Sequence, residues 1–220
     1  MSPTEHIARP RSRLRLVLLG LTLFLLLVVG VTMALVPQMS PSDRDSLLKV
    51  IGLYHTPTPN TDAAMMLTDI GLSFHEQGRL DEAIQNYTAA IQRDPNFHNA
   101  WFNRGIALHS QEKLDEAIAD YTEAIRLDPT IADVFFNRGM ALGQQGKVEE
   151  AVADFTEVIS LDPTHAAAFY SRGNGFFWQG KLNEAIADYS EAIHLNPDVP
   201  DAFYRRGLAL RDQGRLDEAI

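Results

Sequence analysis

A period of 34 residues runs through most of this chain and limits what it can fold into. Prolines recur with this spacing at Pro95, Pro129, Pro163 and Pro197. Glycines recur with it at Gly71, Gly105, Gly139, Gly173 and Gly207. The tetrapeptide DEAI at 81–84 returns in the same phase as DEAI, EEAV, NEAI and DEAI. A fixed period of this length is typical of solenoids, whose stacked units bury apolar faces that no single unit could bury alone.

Within each period, small and apolar residues recur in a fixed order. One unit contains Trp101, Gly105, Leu108, Ala117, Tyr121, Ala124 and Pro129. The recurring alanines are Ala83, Ala117, Ala151 and Ala185. This order resembles the tetratricopeptide repeat, a helix–turn–helix unit of 34 residues. The resemblance implies an all-α, right-handed superhelical solenoid with four full repeats, at 64–97, 98–131, 132–165 and 166–199, and a partial fifth at 200–220.

The stretch RGNGFFWQG at 172–180 contains a G-x-G sequence that could be taken for a phosphate-binding loop. Gly173 and Gly180 are repeat positions, however, and only Gly175 departs from the period by replacing an alanine of the other units. A dinucleotide-binding loop would follow a strand and open a helix. These glycines instead fall inside and at the end of a predicted helix, so the stretch gives no evidence of nucleotide binding.

An arginine precedes the repeated glycine in every unit except the first, and an aspartate follows it sixteen residues later where the unit is complete. The pairs are Arg104 and Asp120, Arg138 and Asp154, and Arg172 and Asp188. The first unit has Ile70 and Asn86 at these two places and so lacks both charges together. This joint change favours an ion pair between the two helices of a unit; two separately solvated charges are the alternative.

Charge and composition argue against nucleic-acid binding and give no sign of catalysis. Residues 37–220 carry 15 basic and 28 acidic groups, a net charge of −13 that would repel phosphate backbones. The chain has no cysteine and no Walker or G-x-S-x-G motif. His75 and His109 share a repeat position, but no third protein ligand for zinc is evident. We therefore expect no catalytic residue, no metal site and no cofactor.

The N-terminal part is predicted to cross a membrane. Residues 16–36 have the sequence LVLLGLTLFLLLVVGVTMALV, and none of these 21 residues is charged. A helix of this length can span a hydrocarbon core of about 30 Å. Four arginines lie just before this run, so the positive-inside rule predicts a cytoplasmic segment 1–15 and repeats on the exported side. The run is longer than a signal-peptide core, which favours an uncleaved signal anchor; cleavage near Ala34 is the alternative.

Residues 37–61 are interpreted as a stalk. They contain Pro37, Pro41, Pro57 and Pro59. The sequence TPTPN would form a stiff spacer, and Thr61 would then cap the first helix of a repeat domain over 62–220. The apolar residues between 47 and 53 leave open a second interpretation, in which this segment forms a first packing helix of the repeat domain.

Two rows of side chains are candidates for a binding groove, because in the tetratricopeptide repeat family the first helices line the concave surface. The aromatic row is Phe102, Phe136, Tyr170 and Tyr204. The polar row is Asn103, Asn137, Ser171 and Arg205. Asparagine offers both donors and an acceptor to an extended peptide backbone. The alternative is that the aromatic residues only pack between repeats.

These features together predict a non-enzymatic interaction scaffold that is anchored in the lipid bilayer through residues 16–36 and binds an unknown protein or peptide in the groove. A regulatory part of a larger enzyme and a secreted scaffold released by signal cleavage are the alternatives. The second helix of the fifth unit stops at Ile220 soon after it begins. We therefore expect either a longer natural chain or self-association that covers this C-terminal end.

Overall fold

The computed structural model of the chain describes residues 59–198 and 200–219, which form pairs of antiparallel helices. The first helices of the units are α1 Pro59–Glu76, α3 His98–Ser110, α5 Ala132–Gln144, α7 Ala166–Trp178 and α9 Pro200–Asp212. The second helices are α2 Leu80–Arg93, α4 Leu114–Leu127, α6 Val148–Leu161 and α8 Leu182–Leu195. A short 3-10 helix, Leu216–Glu218, follows α9. The described residues contain no strand, and the predicted all-α solenoid is confirmed.

The order of packing gives the solenoid two different sides. Each first helix packs on the second helix of its own unit, and that second helix packs on the first helix of the next unit. Consecutive first helices also contact each other, whereas consecutive second helices do not do so to the same extent. The first helices therefore lie closer together and form what we call the inner face.

The two helices of each unit meet at a glycine. A Cβ atom added to Gly71 would lie 2.5 Å from a ring carbon of Tyr87, and one added to Gly105 would lie 2.7 Å from the ring of Tyr121. Gly139 meets Phe155 in the same way, and in a fourth unit Gly173 meets Tyr189. Any larger residue would push the aromatic ring out of its place. The repeated glycine is therefore a condition for the close approach of the two helices.

Each second helix ends at an Asp-Pro or Asn-Pro step, as predicted, because proline cannot continue the helix and constrains the residue before it. The residue before the proline has extended backbone, as at Asp94 with φ −140° and ψ 96°. Its side chain accepts a hydrogen bond from the backbone N–H two residues further on. Hydrogen bonds from Thr130 lower the pKa of the Asp128 carboxyl. The step therefore both ends the helix and fixes the following turn.

The turn inside each unit uses a left-handed residue. Four units have a glycine there with φ between 73° and 77°, at Gly78, Gly146, Gly180 and Gly214. The second unit instead has Glu112 with φ 62°, a conformation that costs a residue with a Cβ atom about 1–2 kcal/mol. The second unit therefore departs from the sequence pattern without departing from the backbone pattern.

The predicted ion pairs are confirmed in three units. The Arg104 guanidinium donates two hydrogen bonds, of 2.7 and 2.8 Å, to the Asp120 carboxylate, which is buried. The pairs Arg138–Asp154 and Arg172–Asp188 have the same two-bond geometry. Each guanidinium also donates to a threonine of the preceding unit, as Arg104 does to Thr88 at 3.1 Å. We call this series the Arg–Asp ladder, and it joins helices both within and between units.

The start of the first helix differs from the prediction. Helix α1 begins at Pro59, three residues before the expected boundary at 62. Thr61 is therefore not an N-cap but a buried residue of the first turn, and its hydroxyl donates to the Asp94 carboxylate at 2.6 Å. Proline is favoured at the first position of a helix because its missing N–H would have no partner there. Pro59, predicted to belong to a stiff spacer, is instead the first residue of the helix.

The predicted cytoplasmic segment 1–15, the predicted membrane helix at 16–36 and most of the predicted stalk fall on residues outside those that the structure describes, and they stay predictions. Among the helices from residue 59 onward, none combines the length and the apolar character needed to cross a bilayer.

The Arg–Asp ladder yields a stability prediction. We expect Asp154→Asn to lower the free energy of unfolding by about 2–3 kcal/mol, because it leaves a largely buried guanidinium without its carboxylate. The double variant Arg138→Ile/Asp154→Asn copies the residues of the first unit, and we expect it to recover at least half of that loss. Denaturant unfolding followed by circular dichroism measures both changes.

The matched control is the exposed ion pair between Arg126 and Glu123, for which Glu123→Gln should cost less than about 0.5 kcal/mol. An Asp154→Asn variant that unfolds at the same denaturant concentration as the wild type would contradict a stabilising role for the ladder.

Candidate functional site

The aromatic row lies on the inner face, and three of its four rings pack inward. Phe102, Phe136 and Tyr170 are half-buried, and each ring packs against the aromatic residue of the second helix in its own unit at centroid distances of 6.1, 5.7 and 6.0 Å. Tyr204 on α9 is 65% exposed. The aromatic residue just before each member of the row points in another direction, because the side chains of consecutive helix residues are about 100° apart. These preceding residues are Trp101, Phe135, Phe169 and Phe203. The row thus takes part in packing and still presents ring surface to solvent.

The polar row follows the aromatic row by one residue. The side-chain N–H groups of Asn103 and Asn137 each donate to the backbone carbonyl four residues earlier, at 2.8 Å. These bonds hold the amides in place and leave their carbonyl oxygens as acceptors at the surface. Ser171 donates to the sulfur of Met140 at 3.9 Å, and Arg205 is half-buried on α9. The row therefore offers oriented amides only on α3 and α5.

Four inner positions on each of the three central first helices carry no charge. Residues at i, i+1, i+4 and i+8 share one side of a helix. On α3 these are Phe102, Asn103, Ile106 and Ser110. On α5 they are Phe136, Asn137, Met140 and Gln144, and on α7 Tyr170, Ser171, Asn174 and Trp178. Carboxylates recur instead on the second helices, at Glu82, Glu116, Glu150 and Glu184. These positions form a neutral stripe, which we call the groove, on an acidic body. Asp133, three residues before Phe136, adds one exposed carboxylate to the same side of α5.

The hydroxyl of the tyrosine that recurs in the second helices has a hydrogen-bond partner in one unit and none among the described residues in two others. The Tyr189 hydroxyl donates to the side-chain oxygen of Asn174 at 2.9 Å. The hydroxyls of Tyr87 and Tyr121 are buried and have no hydrogen-bond partner within the described part of the chain. Burial raises the pKa of Tyr87 to about 12. The third unit has Phe155 at this position, so the hydroxyl is not needed for packing.

A recess of about 300 Å³ opens into the groove between α5 and α7. Its lining includes Gly143, Tyr170, Ser171, Asn174, Gly175 and Trp178. Two of these, Tyr170 and Ser171, belong to the predicted rows; the others were not predicted as site residues. The departures of residues 143, 175 and 178 from the repeat pattern are the sequence signal that could have revealed the recess.

The structure brings no metal site together among residues 59–198 and 200–219, where no three suitable side chains converge. His109 contacts the side-chain oxygen of Gln144 at 3.0 Å, and His75 lies in the last turn of α1.

At the other end of the described chain, a 3-10 helix follows α9. Self-association at this end stays a prediction.

Comparison with known families matches three parts of the chain. Models of the tetratricopeptide repeat match residues 68–130, 132–165 and 173–214. The chain is a tetratricopeptide repeat protein. As a member of this family it is a protein-interaction scaffold with a protein partner. A sequence search of curated proteins gives no match.

Solved tetratricopeptide repeat structures share its fold. A crystal structure of MamA is 27% identical, with a TM-score of 0.66, over 68% of this chain and 88% of MamA. YrrB, described as a tetratricopeptide repeat protein with an unusual peptide-binding site, is 20% identical with a TM-score of 0.66, over 71% of this chain and 81% of its own. PilF of Pseudomonas aeruginosa is 21% identical with a TM-score of 0.64, over 73% of each chain. At their identities, YrrB and PilF support the fold alone.

The tyrosines of the tetratricopeptide repeats give a paired prediction. Tyr121→Phe should raise the free energy of unfolding by up to about 1 kcal/mol, because it removes a buried hydroxyl that has no partner among the described residues. Tyr189→Phe should lower it by about 1 kcal/mol, because it breaks the bond to Asn174. The two variants make the same chemical change at the same repeat position, so each is the control for the other. Equal effects in denaturant unfolding would contradict this assignment.

Proposed function

We propose that the groove binds an extended segment or a helix of a protein partner, and that the chain holds this partner near a membrane without catalysing a reaction or using a cofactor. The observation that carries the proposal is the stripe of half-buried aromatic rings along α3, α5 and α7, with oriented amides beside them on α3 and α5. A stripe of this kind on an otherwise acidic body offers apolar contact and hydrogen bonding together.

The amides suit a main-chain ligand. An extended peptide presents alternating N–H and C=O groups that lose their water when the peptide is bound, and each must find a partner. The side-chain oxygens of Asn103 and Asn137 can accept from such N–H groups. The neighbouring rings of Phe102 and Phe136 add apolar area. This combination can bind a peptide backbone with little dependence on its sequence.

The membrane part of the proposal is supported by the sequence. The uncharged segment 16–36 would span a bilayer, and the arginines before it would keep residues 1–15 in the cytoplasm. The groove would then face the exported compartment and a partner in it or at the membrane surface. The chain would act by holding this partner close to the membrane.

The groove is tested with peptides selected on the full chain, kept in solution with a mild detergent, from a random library displayed on phage. Asn103→Ala and Asn137→Ala should each weaken binding of the selected peptides by roughly 1–3 kcal/mol, as expected for contact residues. The matched control is Gln85→Ala on α2, an exposed amide at a position where the next three units already have alanine. Selected peptides that bind all three variants as tightly as the wild type would contradict the proposed groove.

The topology is tested separately in cells. The chain should stay with the membrane fraction after an alkaline carbonate wash, keep its N-terminus uncleaved, and expose its repeats to protease only from the exported side. As a control, replacement of Arg9, Arg11, Arg13 and Arg15 by serine should reduce the correctly oriented fraction. Repeats that are digested from the cytoplasmic side would overturn this part of the proposal.

A further inference from the structure

Three departures from the repeat pattern meet at the recess between α5 and α7. Gly143 stands where two earlier units have His75 and His109. Gly175 stands where other units have a buried alanine, at Ala107, Ala141 and Ala209. Trp178 stands where the other units have polar residues, at Glu76, Ser110, Gln144 and Asp212. Each change taken alone is ordinary in a degenerate repeat, but all three line one recess.

The two glycines play different structural roles. Among the described residues, a Cβ atom added to Gly143 would have only the Ala151 methyl near it, at 4.0 Å, so this position opens into free space. A Cβ atom added to Gly175 would overlap a methyl of Val152, so this position lets α7 approach α6 closely. Glycine inside a helix costs about 1 kcal/mol relative to alanine. Both glycines line the recess of about 300 Å³, at some cost in helix stability.

Trp178 places a large apolar surface at the mouth of this recess. Its side chain is 74% exposed, the highest exposure of any large apolar side chain in the described residues. Tryptophan is among the residues that most often dominate the binding energy of protein interfaces when a partner covers them. An exposed indole beside an open recess therefore points to a ligand that fills the recess and covers the ring.

The lining favours an apolar ligand group. None of the lining residues carries a charge, and both side-chain amide oxygens are engaged: the Asn174 oxygen accepts from Tyr189, and the Gln144 oxygen contacts His109. The volume lies at the lower end of the range for small-molecule pockets, about 300–1,000 Å³. A recess of this size and chemistry suits one bulky apolar side chain better than a metabolite.

The surrounding charge selects the residues that can flank that side chain. Residues 37–220 have a net charge of −13, so the field around the groove attracts basic segments and repels acidic ones. We infer that the recess is the anchor site for a partner segment in which a phenylalanine, tryptophan, leucine or methionine is flanked by lysine or arginine. This inference rests on the proposed function and names the kind of partner that the groove takes.

Two variants that copy residues of the chain's other repeats test the recess. Gly143→His restores the residue of the first two units and fills the opening; Trp178→Gln restores the residue of the third unit and removes the indole. Neither position is needed for packing, since one opens into free space and the other is exposed. Thermal unfolding checks that both variants remain folded, and Gly143→Ala, which barely fills the recess, provides a second variant at the first site.

Binding of the library-selected peptides to the full chain is measured for each variant. We expect the peptides to share a bulky apolar residue with basic neighbours, and to bind Gly143→His and Trp178→Gln at least about tenfold more weakly than wild type. Gln85→Ala on α2, an exposed position outside the groove, should change nothing. In the wild type, bound peptide should also shift the emission of Trp178 to shorter wavelength.

The outcomes separate this inference from the proposed function. Peptides that lose affinity in the Asn103→Ala and Asn137→Ala variants but bind Gly143→His and Trp178→Gln at full strength would overturn the anchor site and leave the groove standing. Peptides without an apolar residue, or rich in acidic residues, would overturn the stated partner chemistry. A library that yields no peptide for the folded chain would overturn both.

Discussion

The contact between a glycine and an aromatic ring sets the geometry of every complete unit. Because Gly105 has no Cβ atom, the ring of Tyr121 can lie against the backbone of α3 and fix the distance between α3 and α4. The distance between α3 and α4 in turn sets which side chains can meet on either side of this contact. On one flank, Arg104 and Asp120 come within hydrogen-bond range. On the other, Phe102 rests on the same tyrosine ring and is held at the inner face. The Arg–Asp ladder and the groove therefore both depend on the close approach of the two helices at this glycine.

The 34-residue period predicted the helices, their turns and the Arg–Asp pairs, since each of these follows from a residue type that recurs in phase. Features that occur once were harder to predict. The bond between Tyr189 and Asn174 exists in one unit, because only there does an amide replace an aliphatic residue of the first helix. The first helix starts earlier than expected because Pro59 can serve as its first residue as well as a spacer.

In the candidate site, too, the features that recur in every unit could be predicted and the feature that occurs once could not. The positions of the aromatic and polar rows could be predicted from the period together with the family resemblance. That Phe102, Phe136 and Tyr170 are half-buried in packing is not revealed by a repeat pattern. The recess could not be predicted in this way, since it depends on how Gly143, Gly175 and Trp178 meet across two helices. Their separate departures from the pattern are visible in the sequence, but their common location requires the register of α5 against α7.

The bonds from the ladder to the preceding unit bear on how such a chain can lengthen. Arg104 belongs to one unit and Thr88, which accepts its third bond, to the unit before, yet both residues recur at fixed places in the repeat. A duplication of one whole central unit therefore carries the arginine, the aspartate and the threonine together. The new copy can bond to the neighbour on either side without any compensating mutation. The ladder thus makes gain or loss of a unit by recombination a structurally tolerated event in this gene.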